Sequence, residues 1–233
     1  MSKVIKKIAI SQSNYIPWKG YFDLINSVDV FVLYDSAQYT KNDWRNRNLL
    51  MSKRGKQWLS IPVHHSTSLQ IKQIQTADNI WWKKHWKTIE QLYCKAKFFE
   101  LYRQPLCDLY HSLETEMSLS KINYKFILFV NKVLGIETEI CFDDTFEHGS
   151  GQSEKLLAIC QQLQATTYVS APAAKSYLNE SIFEEKNIHV SWFEYMSYPE
   201  YDQLGYQFEH TVSILDLLFN EGPRAKYYMM TFK

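Results

Sequence analysis

The 233 residues carry 26 Lys and Arg against 25 Asp and Glu, so no global field draws the chain to nucleic acid or an anionic membrane, and only a local basic patch stays open. A hydrophobic fraction of 45% and a charged fraction of 22% are those of an ordinary globular protein and exclude disordered and fibrous classes. Aromatic residues, 15% of the chain, are the compositional excess, and they serve as stacking surfaces as readily as core volume.

Val4 to Ser11 reads as a first strand, and Val30 to Tyr34, rich in β-branched and aromatic residues, as a second. Between them Tyr21, Leu24, Ile25 and Val28 recur at helical spacing over Gly20 to Val28, which makes a β-α-β beginning. Trp58 to Val63 is a third strand, with Pro62 marking its end or an edge position. From Asn79 the period changes: Trp82, Trp86, Ile89 and Tyr93 share one helical face, and Tyr102, Leu106, Leu109 and Leu113 share that of a second helix. A third helix takes Ser118 or Ser120 as cap, Ile122, Phe126, Phe129, Val130 and Val133 as apolar face, and Gly135 as stop. Residues 79–135 are therefore predicted as a helical insertion or subdomain of one domain covering 1–233.

The last hundred residues alternate: strand Thr138–Phe142, helix Ser153–Leu163, strand Thr167–Ser170, short helix Ala173–Leu178, strand His189–Phe193 and helix Val212–Phe219. Alternation of this kind predicts an α/β fold with a mostly parallel central sheet flanked by helices. In such sheets ligands lie beyond the carboxyl ends of the strands, here the segments after Ser11, Tyr34, Phe142, Ser170 and Phe193. Cys94, Cys107, Cys141 and Cys160 show no C-x-x-C pairing and read as free thiols of a reducing cytoplasm. Met1 to Lys7 runs into Ile8 to Ile10 without signal-peptide features, and no run approaches the roughly 18 apolar residues that span a bilayer. A cytoplasmic protein without membrane insertion is expected.

The polar, aromatic loop Gln12-Ser13-Asn14-Tyr15-Ile16-Pro17-Trp18-Lys19-Gly20-Tyr21 follows the first strand, where α/β folds cradle phosphate on helix N-terminal amides. Neither G-x-x-x-x-G-K-[ST] nor G-x-G-x-x-G occurs, which argues against a P-loop NTPase and an ordinary dinucleotide dehydrogenase. The same residues also suit a plain turn shaped by Pro17 and Gly20 over packed rings. After the second strand, Asp35 to Asn48 holds Gln38, Tyr39, Lys41, Trp44, Arg45, Asn46 and Arg47. Guanidinium forks grip phosphate oxygens and rings stack on bases, so this stretch suits a diphosphate and a flat base. Asp35, at the strand end, suits a sugar hydroxyl, a metal or a proton.

His64-His65 lacks further ligands at zinc-like spacing, and no metal site is expected. Trp81 to Lys87, with Lys84 and His85, is basic and aromatic like a phosphate- or nucleic-acid-binding helix, although Trp82 and Trp86 fall on its core-facing side. Gly149 to Lys155, containing Ser153, and Ser170 to Lys175 both lead from strand to helix, positions open to anion binding or to simple capping. No G-x-S-x-G elbow and no paired carboxylates mark a classical hydrolase.

Q-S-N-Y-I-P-W-K-G-Y-F at Gln12 to Phe22, D-x-F-V-x-x-D-x-x-Q-Y at Asp29 to Tyr39 and W-R-N-R-N at Trp44 to Asn48 resemble the WbqC-like family. W-W-K-K-H from Trp81, S-E-K-L-L from Ser153, Y-V-S-A-P-A-A-K from Tyr168 and S-I-L-D-L-L-F-N-E-G from Ser213 extend the resemblance over nearly the whole chain. Ala171 departs from it, standing where the family is expected to have Gly. The resemblance implies a role beside O-antigen and related gene sets that make unusual amino sugars, on a Rossmann-like fold whose strand order is similar to the nucleotidyltransferase-like superfamily.

The preferred reaction is transfer of an acyl or aminoacyl group, such as glycyl, to the amine of a nucleotide-linked deoxyamino sugar. On this reading Asp35, Lys41 and Arg45 are catalytic, Asp35 taking the amine, while Lys41, Arg45 and Arg47 hold phosphate or oxyanion charge. Tyr39 and Trp44 stack, and Gln12, Asn14 and Gln38 orient. Tyr15, Trp18, Asn46, Asn48, Lys84, His85, Ser153 and Lys175 complete the expected substrate-binding set. An aminoacyl-tRNA, an acyl-CoA or ATP activation would supply the acyl group, and Lys84 suits a charged tRNA. An ATP-dependent amide ligase and a noncatalytic sugar-nucleotide-binding partner are the alternatives. The absence of H-x-G-H and K-M-S-K-S-like motifs weighs against ATP chemistry.

Overall fold

The computed structural model describes residues 5–64, 68–147 and 149–232. Val4 of the first predicted strand and His65 of the histidine pair lie outside the described residues. The chain opens with β1 (Lys7–Ser11), α1 (Lys19–Asn26) and β2 (Val30–Leu33), the predicted β-α-β unit. Two antiparallel pairs follow, β3 (Arg47–Ser52) with β4 (Gly55–Ser60), and β5 (Val63–His64) with β6 (Gln75–Thr76). Three helices come next, α2 (Trp81–Tyr93), α3 (Phe99–His111) and α4 (Leu119–Leu134). The remainder alternates β7 (Glu139–Phe142), α5 (Gln152–Gln162), β8 (Thr167–Ser170), α6 (Ser181–Glu184), β9 (His189–Trp192) and α7 (Ile214–Glu221).

The central sheet runs β7-β2-β1-β8-β9, and each neighbouring pair is parallel. The chain winds outward from β1 through β2 to β7, then returns to place β8 on the other side of β1. That reversal opens a crevice beyond the carboxyl ends of β1 and β8. Both faces are covered, as a parallel sheet requires. Ala9, Phe31, Leu33 and Val169 pack with Leu24 of α1, Phe126 of α4 and Leu218 of α7. On the opposite face Ile8, Val30, Val32, Tyr168 and Val190 pack with Leu156 and Cys160 of α5 and Phe183 of α6. Among the described residues, no helix is long and apolar enough to cross a membrane.

Local signals account for several boundaries. The Ser118 hydroxyl accepts the Lys121 N–H at the start of α4, and Gly135 ends that helix at φ 73°, a left-handed conformation that favours glycine. The four cysteines are free thiols, and burial pushes that of Cys160 up to about 12.

Two expectations need correction. The strand predicted at Trp58–Val63 is β4, and it pairs with β3 in a hairpin outside the central sheet. β3 itself escapes the sequence reading because its two faces both bury apolar residues: Leu50 joins the main core, whereas Leu49 and Met51 form a separate cluster with Val212. The helix predicted at Ala173–Leu178 is a 3-10 turn over Pro172–Ser176, and α6 follows it.

Residues from the three central helices share one core with the sheet, so truncation there should be felt globally. Phe126→Ala is expected to lower the unfolding free energy by about 3–5 kcal/mol in urea denaturation. A loss under ~1 kcal/mol would show that α4 does not carry sheet stability.

Candidate functional site at the strand ends

β1 and β2 end side by side, and buried polar groups tie together the segments that leave them. Asp35, 1% exposed, accepts the Ser13 N–H at 2.9 Å and the hydroxyl of Ser120 on α4. Burial raises its pKa, opposed by those bonds and by the Arg45 charge. The N–H groups of Asp35 and Ser36 donate in turn to Asp143, just past β7, at 3.0 and 3.2 Å. Asn123 of α4 donates to Ser13 Oγ at 3.0 Å and to the Arg45 carbonyl at 2.9 Å. Tyr15 N–H donates to the Trp44 carbonyl at 3.0 Å, and the Asn48 amide donates to the carbonyls of Tyr15 and Ile16 at 3.0 and 2.8 Å. The two loops therefore form one platform. Arg45 is fixed on it, donating to the Ser13 carbonyl at 3.3 Å and to Asn14 Oδ1, with Asp43 at 3.5 Å.

Two hollows adjoin the platform. The larger, about 430 Å³, lies at the ends of β1 and β8 where the winding reverses. Its polar lining comes from Ser11, Gln12, Tyr34, Gln152, Ser170 and Tyr177, and no charged side chain is among its lining residues. Ala171, Ala173 and Ala174 contribute small side chains to the same wall. The smaller hollow, about 140 Å³, lies among Asn14, Trp18, Trp44, Asn48 and Thr211. Small-molecule sites measure about 300–1,000 Å³, so the first suits a ligand of nucleoside size and the second a small group only. Trp44, 38% exposed, lies 5.4 Å from Trp58, itself 44% exposed, and the Arg47 guanidinium sits 4.0 Å from the Trp58 ring centre. On the opposite side Trp18 packs against Tyr195 and Tyr198.

The structure brings Gln12, Asn14, Trp18, Trp44 and Arg45 to this rim, with Arg47 against Trp58. Other expected site residues serve packing instead. Asp35 is sealed beneath the platform rather than open to a substrate amine, because it answers backbone and hydroxyl donors there. Tyr15 is fully buried, its oxygen 2.7 Å from the Tyr110 hydroxyl and 2.8 Å from His85 Nδ1. His85 is buried too and bonds the Ser60 carbonyl through Nε2 at 3.0 Å. Tyr39 is buried and donates to Asn46, whose amide donates to the Ile61 carbonyl; Asn48 is buried under the first loop. Ser153 does not cap α5, since Gly151 holds that position; its hydroxyl instead accepts the Asn179 N–H and donates to the Tyr177 carbonyl. The Glu154 carboxylate lies against Gly151, so the positive end of α5 already faces an anion.

Gln38 and Lys41 are exposed on the second loop, Lys84 is exposed on α2, and Lys175 is exposed with its ammonium 5.3 Å from the Trp192 ring. Among the described residues, no group of three His, Cys, Asp or Glu side chains is arranged to hold a metal ion. Sequence reasoning did not single out Trp58, Tyr177, Thr211 or Lys19. Only hairpin geometry exposes Trp58, and only the long return of the chain brings Thr211 to Asn14. Lys19 is 2% exposed; its ammonium donates to the Pro199 carbonyl at 3.0 Å and lies 5.2–5.6 Å from the rings of Tyr198, Tyr201 and Phe208. Burial lowers its pKa to about 8 against the pull of Asp23 and Asp216.

A family model described as the WbqC-like protein family matches residues 12–228. An uncharacterized protein of Mycobacterium tuberculosis, Rv1507c, is 43% identical over 227 residues, which cover 97% of this chain and 98% of the relative. No solved structure matches.

His85 generates a pH prediction. Burial pushes its pKa from 6.5 down to about 4. The unfolded chain therefore binds a proton that the folded chain refuses, and stability falls as pH drops through that window, by about 3 kcal/mol in full. Unfolding free energies measured from pH 7 to pH 4 should decline less steeply in His85→Gln than in the wild type. Parallel curves would show that the imidazole does not titrate this way.

Proposed function

The chain belongs to the WbqC-like protein family, and from that premise we propose a cytoplasmic transferase acting on a nucleotide-linked amino sugar. It attaches an acyl or aminoacyl group to the sugar amine during O-antigen or related polysaccharide assembly. One observation carries the reading: a nucleoside-sized, uncharged, hydroxyl- and amide-lined cleft adjoins the loop that holds a fixed guanidinium beside a hollow of acyl size.

Each part has a chemical task. Ser11, Gln12, Tyr34, Gln152, Ser170 and Tyr177 offer donors and acceptors for sugar and nucleoside hydroxyls. Lys175, exposed on the segment after β8, supplies positive charge for the diphosphate, and Arg45 supplies it for the reacting centre. The amine nitrogen attacks the donor carbonyl, a C–N bond forms, the donor's C–O or C–S bond breaks, and the leaving group takes the proton that the amine gives up. Arg45 faces the oxyanion that develops on that carbonyl, and because its acceptors already hold it, little reorganisation accompanies the step. No Asp or Glu lines either hollow, an observation that favours a second reading, a noncatalytic sugar-nucleotide-binding partner.

Thermal unfolding with a panel of nucleotide sugars, ATP, acyl-CoA and charged tRNA, followed by mass detection of the acylated sugar, separates these readings. A cognate nucleotide sugar at about 100 times its Kd adds about 2.7 kcal/mol of stability. Ala171→Leu, which fills the cleft, should abolish that gain. Arg45→Ala should keep it while lowering turnover by on the order of 100-fold. Stabilisation without product in any mixture would leave the binding partner, and no stabilisation by any nucleotide sugar would sink both.

A further inference from the structure

We infer that the β3–β4 hairpin, from its tip beside the end of α2 round to Trp58, is a docking track for single-stranded RNA, and that the acyl donor is an aminoacyl-tRNA. The donor assignment rests on the transferase reading above; the RNA track stands on its own geometry.

Residues paired across an antiparallel ladder share a face, so Arg47, Trp58 and Lys56 lie on the same side of the hairpin as Leu49 and Met51. The Trp44 and Trp58 rings stand at one end of that side, each more than a third exposed. Three residues on, about 10 Å at strand rise, the hairpin turns through Lys53 and Arg54. There a hollow of about 700 Å³ is lined by Lys53, Arg54, Gln57, Gln91, Lys95 and Tyr206, with Gln57 on the hairpin face opposite Trp58. No Asp or Glu is among its lining residues. Among the described residues none of its three cations has an acidic partner within salt-bridge distance. Lys53 also lines a neighbouring hollow of about 410 Å³ that reaches Lys56, two residues from Trp58 along β4, and that also holds Glu209. Lys56 is matched to Glu209 at 2.6 Å, and Arg103, beyond α2, to Glu90 at 2.9 Å. Lys53, Arg54 and Lys95 thus form a group of cations without acidic partners among the described residues, beside the hairpin tip.

Unmatched cations followed by exposed rings are what a single-stranded polynucleotide needs: charge for its phosphates, then flat surfaces for its last bases. A neutral sugar would not use the cations, and a compact diphosphate would not span both ends. The chain end has a chemical reason to lie where it does. Trp44 is at once part of the ring pair and a wall of the small hollow beside Asn14. A terminal base stacked on these indoles sets the 3′ ribose ester at that hollow, next to Arg45. The sugar amine then attacks the ester carbonyl, a C–N bond forms, the ester C–O bond breaks, and the terminal ribose hydroxyl leaves with the amine's proton.

Fluorescence anisotropy of a labelled single-stranded RNA ending in CCA, titrated at rising salt, tests the track. The triple variant Lys53→Ala, Arg54→Ala, Lys95→Ala should bind more weakly and lower the log–log salt slope by about 2, three phosphate contacts at roughly 0.7 each. Trp58→Ala should weaken binding roughly tenfold to a hundredfold without changing that slope. Both variants should keep the thermal stabilisation by nucleotide sugar seen in the wild type, which also reports that they fold. Wild-type protein that binds nucleotide sugar but no RNA at low salt overturns the track and leaves the transferase reading standing. Salt-dependent RNA binding without any nucleotide-sugar effect does the reverse. Product formed from acyl-CoA with no RNA present overturns the donor assignment.

Discussion

The rim of this protein depends on a buried carboxylate. Asp35 sits at the carboxyl end of β2, and its two oxygens hold the backbone leaving β1 and the first turn of α4. Its own amide is held by Asp143 past β7, so three adjacent strand ends are locked in sequence by acidic side chains. Hydrogen bonds to a charged acceptor contribute about 1.5–3 kcal/mol each, and a buried carboxylate left without them is strongly destabilising. The pressure to satisfy Asp35 therefore shapes the loop, and the loop sets where Asn14, Trp18 and Arg45 stand. Position, rather than direct contact with a ligand, is what this residue supplies.

The same device recurs in the C-terminal third. Asp23 of α1 accepts the Tyr198 hydroxyl and the N–H groups of Met230 and Thr231, while Asp216 of α7 accepts Tyr93, Tyr201, Gln203 and Asn220. Lys19 reaches the carbonyl of Pro199 between three rings. A segment with almost no regular structure, residues 194–213, is thereby sewn to the first and last helices. Its aromatic residues explain part of the compositional excess: Tyr195 and Tyr198 wall Trp18, and Tyr201 packs on Phe208 and Tyr228. Tyr93 connects this network to the hairpin by accepting the Met51 N–H.

Sheet order and hairpin divide the labour. Reversal of the winding between β1 and β8 creates the cleft, which needs only small residues such as Ala171 and Ala174 on its wall to stay open. The hairpin buries Leu50 and Leu59 in the main core and turns Trp58 outward, so one short antiparallel pair anchors the platform and extends a surface away from it. Stacking area and backbone support come from the same six residue pairs.

Much of the fold is legible in the residues. β-branched and aromatic runs at Ile8–Ile10 and Val30–Leu33, the helical period through Trp82 and Phe126, and the stop at Gly135 each act within a turn or two of chain, so local pattern suffices for them. The two loops after β1 and β2 are equally conspicuous, because so dense a cluster of Asn, Arg and Trp has no role in a plain strand or helix. Which of their side chains meet solvent is another matter. Asp35 and Tyr15 read like Arg45 and Trp18 until partners 70 or more residues away, Ser120, His85 and Tyr110, claim the first two for the interior. Trp58 reads as a sheet residue until β3 pairs with it, and Thr211 reads as nothing until the chain returns to Asn14. Composition and period decide what each segment becomes; burial and hydrogen-bond satisfaction are settled between segments distant in sequence, so only the folded chain assigns a polar or aromatic side chain to the core or to the rim.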